Sequence, residues 1–524
     1  MYLRPDVQIE PIFNQWYAWT QLVQPVTAAM NVANSHIRLM KSYIASPQVH
    51  AQALKNPAMS GGAFLDLGGK RVDEVKALLD ETTSSSKDLI ELAQAVKTLD
   101  ELVRMEGTGY SLEGLYPKVP DALRGYVELV YDLNGAPRVR FLESLLYKSK
   151  YYDEKRQGFL LSITPGDDRP FILSTPRLAD EAHLHARVPF CSDAIDDFVE
   201  ARDRPRSPDE LRERLGVGAD RKPAFDALFT GEAPPPRARW EGPGVRVRYF
   251  GHACVLFQTR DVSILVDPLV SYRFPTEVAR FTYDDLPEKI DYVLITHAHQ
   301  DHVVFETLFQ LRHRIGTVVV PRGAGGQLED LSLRHALRAV GFPRVVELDD
   351  LDELPVPGGR VVGLPFLGEH GDLDVRTKLA HLVELEGRRF LCAADSNNIE
   401  PRLYDHVHEV YGDIETLFLG MECDGAPYSW LYGALTTRPI VRKNDQSRRL
   451  NGSDFARGKH IVERFGCKRV YVYAMGMEPW AGYISSIRYT PESRPIVDSN
   501  LLVAHCREQG IDAERLYCRK EMIV

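Results

Sequence analysis

Residues Thr296-His297-Ala298-His299-Gln300-Asp301-His302 follow directly on the apolar run Asp291-Tyr292-Val293-Leu294-Ile295. A buried strand that empties into such a loop gives the loop a rigid base. Three imidazoles and one carboxylate then fall within six residues. His297 and His299 alternate and can face one way together, while Asp301 and His302 come a turn later. One loop of this kind can feed two metal ions a few ångströms apart, the spacing of two-metal chemistry. A chance polar loop has little use for so dense a His/Asp set against a buried strand.

The rest of the chain is compatible with an ordinary globular enzyme. Its 524 residues are 44% hydrophobic and 26% charged, enough for a real core. Its length is that of roughly two to four domains. Sixty-four basic against 74 acidic residues leave a net charge of −10, so no basic excess points to nucleic acid as a partner. The seven cysteines are odd in number and none is spaced as CxxC, which excludes a disulfide framework or a zinc knuckle. A reducing cytoplasm fits that usage. Arg4, Asp6 and Glu10 precede any apolar run, and no 18-residue uncharged apolar stretch occurs. The expectation is a soluble cytoplasmic protein with no membrane association.

The strongest break in texture is Gly231-Glu232-Ala233-Pro234-Pro235-Pro236-Arg237, because consecutive prolines favour extended polyproline II. It sets a boundary at about 240: a leading α+β domain, 1–240, and a second domain, 241–524. In the first, helices are expected over 17–45 with a break near Gln24-Pro25, over 72–105, and over 120–149. Short strands are expected at Gly158–Thr164 and Pro170–Ser174, flanking the turn Pro165-Gly166-Asp167-Asp168. In the second, strands are expected at Val245–Phe250, Cys254–Gln258, Ser263–Val266, Asp291–Ile295 and Arg469–Tyr473.

The His run matches the HxHxDH signature of the metallo-β-lactamase superfamily, and the resemblance extends across most of 245–480. It implies an αββα sandwich for the second domain, so the chain as a whole reads as α+β. Ser263–Pro268 resembles that fold's early strand followed by Asp-Pro. Phe390-Leu391-Cys392-Ala393-Ala394-Asp395 resembles the strand that delivers a bridging aspartate, which makes Asp395 the candidate shared carboxylate. At the position where most zinc hydrolases of the superfamily offer a histidine, the chain reads Pro365-Phe366-Leu367-Gly368-Glu369-His370-Gly371-Asp372. His370 as ligand would make an imidazole-rich site suited to zinc; Glu369 would make an oxygen-rich site suited to iron or manganese. The superfamily's last histidine is missing from Tyr473-Ala474-Met475-Gly476-Met477-Glu478.

A narrower resemblance spans essentially the whole chain. Glu10-Pro11-Ile12-Phe13-Asn14-Gln15-Trp16-Tyr17-Ala18-Trp19, the Gly-Glu-His-Gly-Asp around Glu369, Asp395, and Gly420-Met421-Glu422-Cys423-Asp424-Gly425-Ala426-Pro427 resemble the diiron β-hydroxylases of nonribosomal peptide pathways, of the type found in chloramphenicol biosynthesis. That resemblance implies one iron on His297, His299 and Glu369, the other on Asp301 and His302, and a bridge from Asp395. It implies O₂-dependent hydroxylation at the β-carbon of an aminoacyl group held as a thioester on a peptidyl carrier protein, in antibiotic biosynthesis. The two electrons needed per turnover imply an external donor, a reductase or ferredoxin. The leading domain would then supply part of the substrate access and a homodimer contact.

Glu422 lies in an acidic, Gly-bounded turn and is a candidate catalytic carboxylate beside the metals; the alternative is a surface turn. His252, in Phe250-Gly251-His252-Ala253-Cys254, is either a support to the ligands or a buried structural histidine. Residues 438–459 carry seven basic residues, among them Arg442, Lys443, Arg448 and Arg449, against two acidic ones, and form a candidate steering surface for an acidic carrier protein. The competing reading of the whole chain is a dizinc hydrolase acting on a thioester, lactone or phosphoester, with Glu369 or His370 as the discriminating ligand.

Overall fold

Strands Cys254–Gln258 and Ser263–Val266 are buried at every position, as expected where both faces of a sheet are covered. They lie inside a seven-stranded sheet of order Val345–Leu348, Ile315–Pro321, Ile290–Leu294, Ser263–Val266, Cys254–Gln258, Arg246–Gly251, Lys520–Ile523. A second seven-stranded sheet runs Glu353–Val356, Gly359–Leu364, Ala380–Leu385, Arg388–Cys392, Thr416–Gly420, Arg469–Tyr473, Asp512–Arg515. This is a computed structural model, and it describes all residues of the chain except 57, 58, 60, 238 and 331.

One apolar cluster joins the two sheets: Val255, Phe257 and Val266 from the first meet Val383, Phe390 and Phe418 from the second. Helices Arg402–Tyr411, Phe455–Phe465 and Arg494–Glu508 cover the second sheet. Helices Phe305–Leu311 and Leu333–Ala339, with the leading half of the chain, cover the first. The result is the expected αββα sandwich.

The leading half mixes helices with a four-stranded sheet of order Trp16–Tyr17, Val7–Phe13, Gln157–Ile163, Leu184–Ala186. Among the described residues no sheet mixes strands from the two sides of residue 240. The halves nevertheless share a core and buried ion pairs such as Arg169–Glu306.

Two local expectations are corrected. The segment 120–149 is not a helix: Val127–Tyr131 and Pro137–Phe141 form an antiparallel hairpin, followed by the short helix Glu143–Leu146. Val127 and Leu129 are buried with Glu128 between them, a period of two. Asp132 Oδ1 accepts from the N–H groups of Asn134 and Ala136, an Asx-type turn that ends any helix. Nor is 170–174 a strand. Pro170 has no N–H to give, and Ile172 makes one bond to the carbonyl of Tyr483 in place of a ladder. The helix expected over 17–45 starts at Thr20 and breaks at Gln24 as expected, and Val32–His36 within it is a π-helical turn.

Candidate metal centre

The parallel strands of both sheets end on the same side, and their C-terminal ends build the site, as crevices at strand carboxyl ends do in open α/β sheets. Ser263–Val266 delivers Asp267, Ile290–Leu294 delivers the His run, Arg388–Cys392 delivers Asp395, and Thr416–Gly420 delivers Glu422. The sequence-derived ligands converge. His299 Nδ1 lies 2.8 Å from Glu369 Oε1, and His297 Nε2 lies 3.8 Å from Glu369 Oε2 and 3.6 Å from Asp395 Oδ2. His302 Nε2 lies 3.2 Å from Asp395 Oδ2.

Three overlapping sets have ligand atoms all within 4.8 Å of one another: His297/His299/Glu369, His297/His302/Asp395, and His252/Asp301/His302. The middle set, which contains Asp395, shares His297 with the first and His302 with the last. His252, left open by the sequence, stands with Nε2 3.4 Å from Asp301 Oδ2. His370 joins none of the sets. It is buried, with Nδ1 beside Glu369 Oε2 at 3.1 Å and the carbonyl of Gly368 at 3.4 Å.

The donor atoms fit metal ions. Buried and without hydrogen-bond partners are His297 Nε2, both ring nitrogens of His252, Glu369 Oε2 and Asp395 Oδ1; a folded protein rarely leaves such groups unsatisfied in one place. The carboxyls also crowd. Burial, reinforced by the charge of Asp395, pushes both Glu369 and Glu422 well above the usual carboxylate range. Burial drives the His297 and His370 imidazoles toward the neutral, ligating form. Burial also works against the Asp301 carboxylate, but His252 beside it and the neighbouring imidazoles overcome it and hold Asp301 below its ordinary value. Cations placed among these groups would offset the crowding.

The supporting contacts explain the geometry. Asp267 was not singled out as a functional residue from the sequence. It is fully buried; its Oδ2 takes His302 Nδ1 at 2.8 Å and the Thr296 hydroxyl at 2.5 Å, and its Oδ1 takes the Thr296 N–H at 2.8 Å. That contact leaves His302 Nε2 free to ligate. The Tyr432 hydroxyl lies 3.2 Å from His299 Nε2, which leaves Nδ1 for the metal side. His381 Nε2 lies 2.8 Å from the carbonyl of Ile295 and pins the base of the His run. Asp267, His252, Glu369 and Ala394 all have positive φ (38°, 50°, 67° and 46°), a conformation that non-glycine residues accept mainly where surrounding structure enforces it. Glu422 is not a surface turn residue. It lines a cavity of about 140 Å³ with His299, Asp301, Glu369 and Asp395.

Residues 2–234 match the model described as the diiron non-heme beta-hydroxylase N-terminal domain, and residues 263–426 match the beta-lactamase superfamily domain. The chain is 42% identical to the 4-amino-L-phenylalanyl-[CmlP-peptidyl-carrier-protein] 3-hydroxylase of Streptomyces venezuelae, over 99% of both chains. The chain belongs to the diiron β-hydroxylase family. The crystal structure of CmlA, a diiron β-hydroxylase from Streptomyces venezuelae, superposes with a TM-score of 0.94 at 41% identity, covering 100% of this chain and 99% of that one. A metal-dependent hydrolase of Exiguobacterium shares only 59 residues, 11% of this chain, at 37% identity. The hydrolase likeness is thus local, while the hydroxylase likeness runs the whole length. As a family member the chain is a diiron, iron-dependent hydroxylase, and among its described residues no helix is long and apolar enough to cross a membrane.

Proposed function

We propose that this chain is an O₂-dependent diiron monooxygenase that hydroxylates the β-carbon of an aminoacyl group held as a thioester on a peptidyl carrier protein. The observation that carries this reading is the carboxylate in the third donor position. Glu369, not His370, closes the set with His297 and His299, and an oxygen-rich set favours iron over zinc. In this reading Asp301, His302 and His252 hold the second iron, and Asp395 bridges. Bound iron supplies electrons and Lewis acidity to O₂, chemistry that no side chain can perform on an unactivated C–H bond. An external reductase or ferredoxin completes the electron balance.

The protein's own part is positioning. Glu422 lines the cavity beside His299, Asp301, Glu369 and Asp395, where its carboxyl can hold or move a proton. Ser485, Ser486 and Ile487 also line the cavity. In this reading residues 1–240 form the substrate-access and homodimer domain, and 241–524 the catalytic domain.

The basic segment 438–459 supports a carrier-docking role only in part. Arg448 stacks over Tyr428 at 4.5 Å and donates to the carbonyl of Gly371 at 2.7 Å, and Arg449 pairs with Asp424 at 3.4 Å. Those two arginines are structural. Arg442 and Lys443 are exposed and are the better steering residues.

The test is metal content after expression with iron and zinc both supplied. About two irons per chain are expected. Zinc that iron does not displace on reconstitution would move the ligand assignment to His370 and the function to a hydrolase.

A further inference from the structure

The metal cavity, at about 140 Å³, is small beside the roughly 300–1,000 Å³ of typical ligand pockets. An aromatic aminoacyl group would fill it and leave no room for the arm that carries the thioester. A second groove of about 590 Å³ adjoins it, and the two share Gly61 and Trp430 as walls. A larger groove of about 840 Å³, near Arg138 and Tyr428, shares no lining residue with the metal cavity.

The shared wall is built. Trp430 Nε1 donates to the carbonyl of Gly61 at 2.8 Å, and its ring stacks on Phe171 with centroids 5.7 Å apart. A Cβ on Gly61 would meet the indole nitrogen at 3.1 Å, and Gly61 has φ +72°. Farther along, the groove is lined by the π-helical turn Val32–His36. Such turns cost helix regularity and recur at functional sites. Asn34 fixes this one to the opposite wall by donating to the carbonyl of Ala434 at 2.8 Å. His36 is 3% exposed and stacks on Trp16 at 3.9 Å; its Nδ1 has no hydrogen-bond partner among the described residues. The outer part of the groove carries Arg38, Arg438 and Arg442, all exposed. Arg438 also faces Asp100 at 3.6 Å. Among the described residues the one acidic residue in the lining, Asp445, already accepts from the Ser429 N–H and hydroxyl at 3.1 and 2.8 Å.

We infer that this groove is the channel for the phosphopantetheine arm of the carrier, with Arg38 and Arg442 receiving its phosphate, His36 and Ser35 facing its amides, and Trp430 separating the arm from the reacting aminoacyl group. The inference rests on the hydroxylase reading above and adds the path of the substrate. The groove's polarity matches the arm's: cationic at the outside, mixed polar and apolar along its length, and walled by an indole where the thioester would enter the metal cavity. A phosphodiester gains charge-assisted hydrogen bonds from arginine that a neutral arm does not.

The experiment is calorimetric titration of the iron-loaded protein with pantetheine 4′-phosphate, with unphosphorylated pantetheine, and with inorganic phosphate alone. The phosphorylated arm should bind more tightly than pantetheine. Arg38→Glu/Arg442→Glu should weaken only the phosphorylated arm, by on the order of tenfold or more, with iron content unchanged. Trp430→Phe keeps an aromatic ring, though a smaller one, and loses the N–H bond to Gly61; it should raise the KM for the loaded carrier and leave the arginine effect intact. Equal affinity for phosphorylated and unphosphorylated arm, or no response to the arginine reversals, would overturn the channel. Phosphate alone binding as tightly as the arm would also overturn it, by showing an anion site and no channel. The outcomes are separable from the hydroxylase reading. Unaltered turnover of a loaded carrier by the arginine variant sinks the channel alone. Arginine-dependent binding of the arm without hydroxylation of any loaded carrier sinks the hydroxylase reading alone.

Discussion

Arg169, from the leading half of the chain, donates to Glu306 of the catalytic half at 2.8 Å, with both side chains almost wholly buried. The guanidinium also bonds Glu10 at 2.5 Å and lies 3.7 Å from the Tyr483 ring centroid. Glu306 in turn accepts from the hydroxyls of Tyr17, Tyr272 and Tyr483 at 3.1, 2.6 and 3.2 Å. Helix Phe305–Leu311 begins three residues after His302, so this junction braces the loop that carries the ligands. Truncating one member of a buried ion pair leaves the other charge uncompensated, at a cost of about 3–5 kcal/mol. Arg169→Ala should therefore lower the midpoint of chemical unfolding sharply, whereas an exposed-pair variant such as Arg138→Ala, whose partner is Asp374, should change it by less than about 1 kcal/mol. Equal effects would show that the junction is not a brace.

The same junction predicts an acid limit. Burial alone would raise the Glu10 carboxyl, but Arg177 and Arg169 overcome it and hold Glu10 below its ordinary value of 4.5. A carboxyl with a depressed folded-state pKa contributes stability that is fully present above the unfolded value and is lost as the pH falls toward the folded value. Metal-free protein should lose stability as the pH drops below about 4.5, and Glu10→Gln should flatten that part of the profile. Parallel denaturation curves of the two proteins across this range would contradict the assignment.

Asp267 sets the orientation of His302. Asp267→Asn leaves the size unchanged but removes the charged acceptor for His302 Nδ1. Loss of such a contact typically weakens metal affinity by about 10–100-fold. Chelator competition should show one of two irons weakened by about that factor, with the other held normally on His297, His299 and Glu369. Uniform loss of both irons together with loss of fold would assign Asp267 a purely structural role.

Gly420 is required by Asp395. A Cβ there would stand 2.6 Å from Asp395 Oδ1 and 2.6 Å from the carbonyl of Ala394, closer than side-chain atoms pack. Gly420→Ala should displace the candidate bridging carboxylate and reduce iron content, whereas Gly482→Ala, with open space at its Cβ, should leave it unchanged. Full iron loading in Gly420→Ala would argue against Asp395 as the bridge.

The exposed cations of the basic segment make a separate prediction about encounter. Reversing Lys443, which is exposed and lies outside the groove, to Glu should slow association with an acidic carrier at low salt and lose its effect at high salt, as screening shortens the reach of charge. An effect that persists at high salt would point to direct contact instead of steering.

The candidate site was legible where its residues are neighbours in sequence. His297, His299, Asp301 and His302 sit on one loop after one strand, and local pattern alone marks them. Glu369, Asp395 and Glu422 each stand singly at the end of a different strand or loop; nothing in their immediate surroundings distinguishes them, and only the likeness to a family placed them. Asp267 entered only as the residue after a strand and His252 as an undecided histidine, because their partners are 35 and 49 residues away in the chain. The fold shows the same division. Strands of the sandwich such as Ser263–Val266 are read directly from short apolar runs. The hairpin 127–141 was misread as helix because its apolar residues also suit a helical spacing until the Asp132 turn is taken into account. The π-helical turn at Val32–His36 leaves no mark on apolar periodicity.

The central claim is that this chain transfers oxygen from O₂ to a carrier-bound aminoacyl group. It is tested most directly by mass spectrometry of the carrier after a single turnover under ¹⁸O₂ with iron-loaded, chemically reduced protein. One ¹⁸O atom gained on the aminoacyl group, absent under ¹⁶O₂ with labelled water, is the predicted result. Release of the free amino acid with no oxygen gained from O₂ would contradict it and mark the protein as a thioester hydrolase.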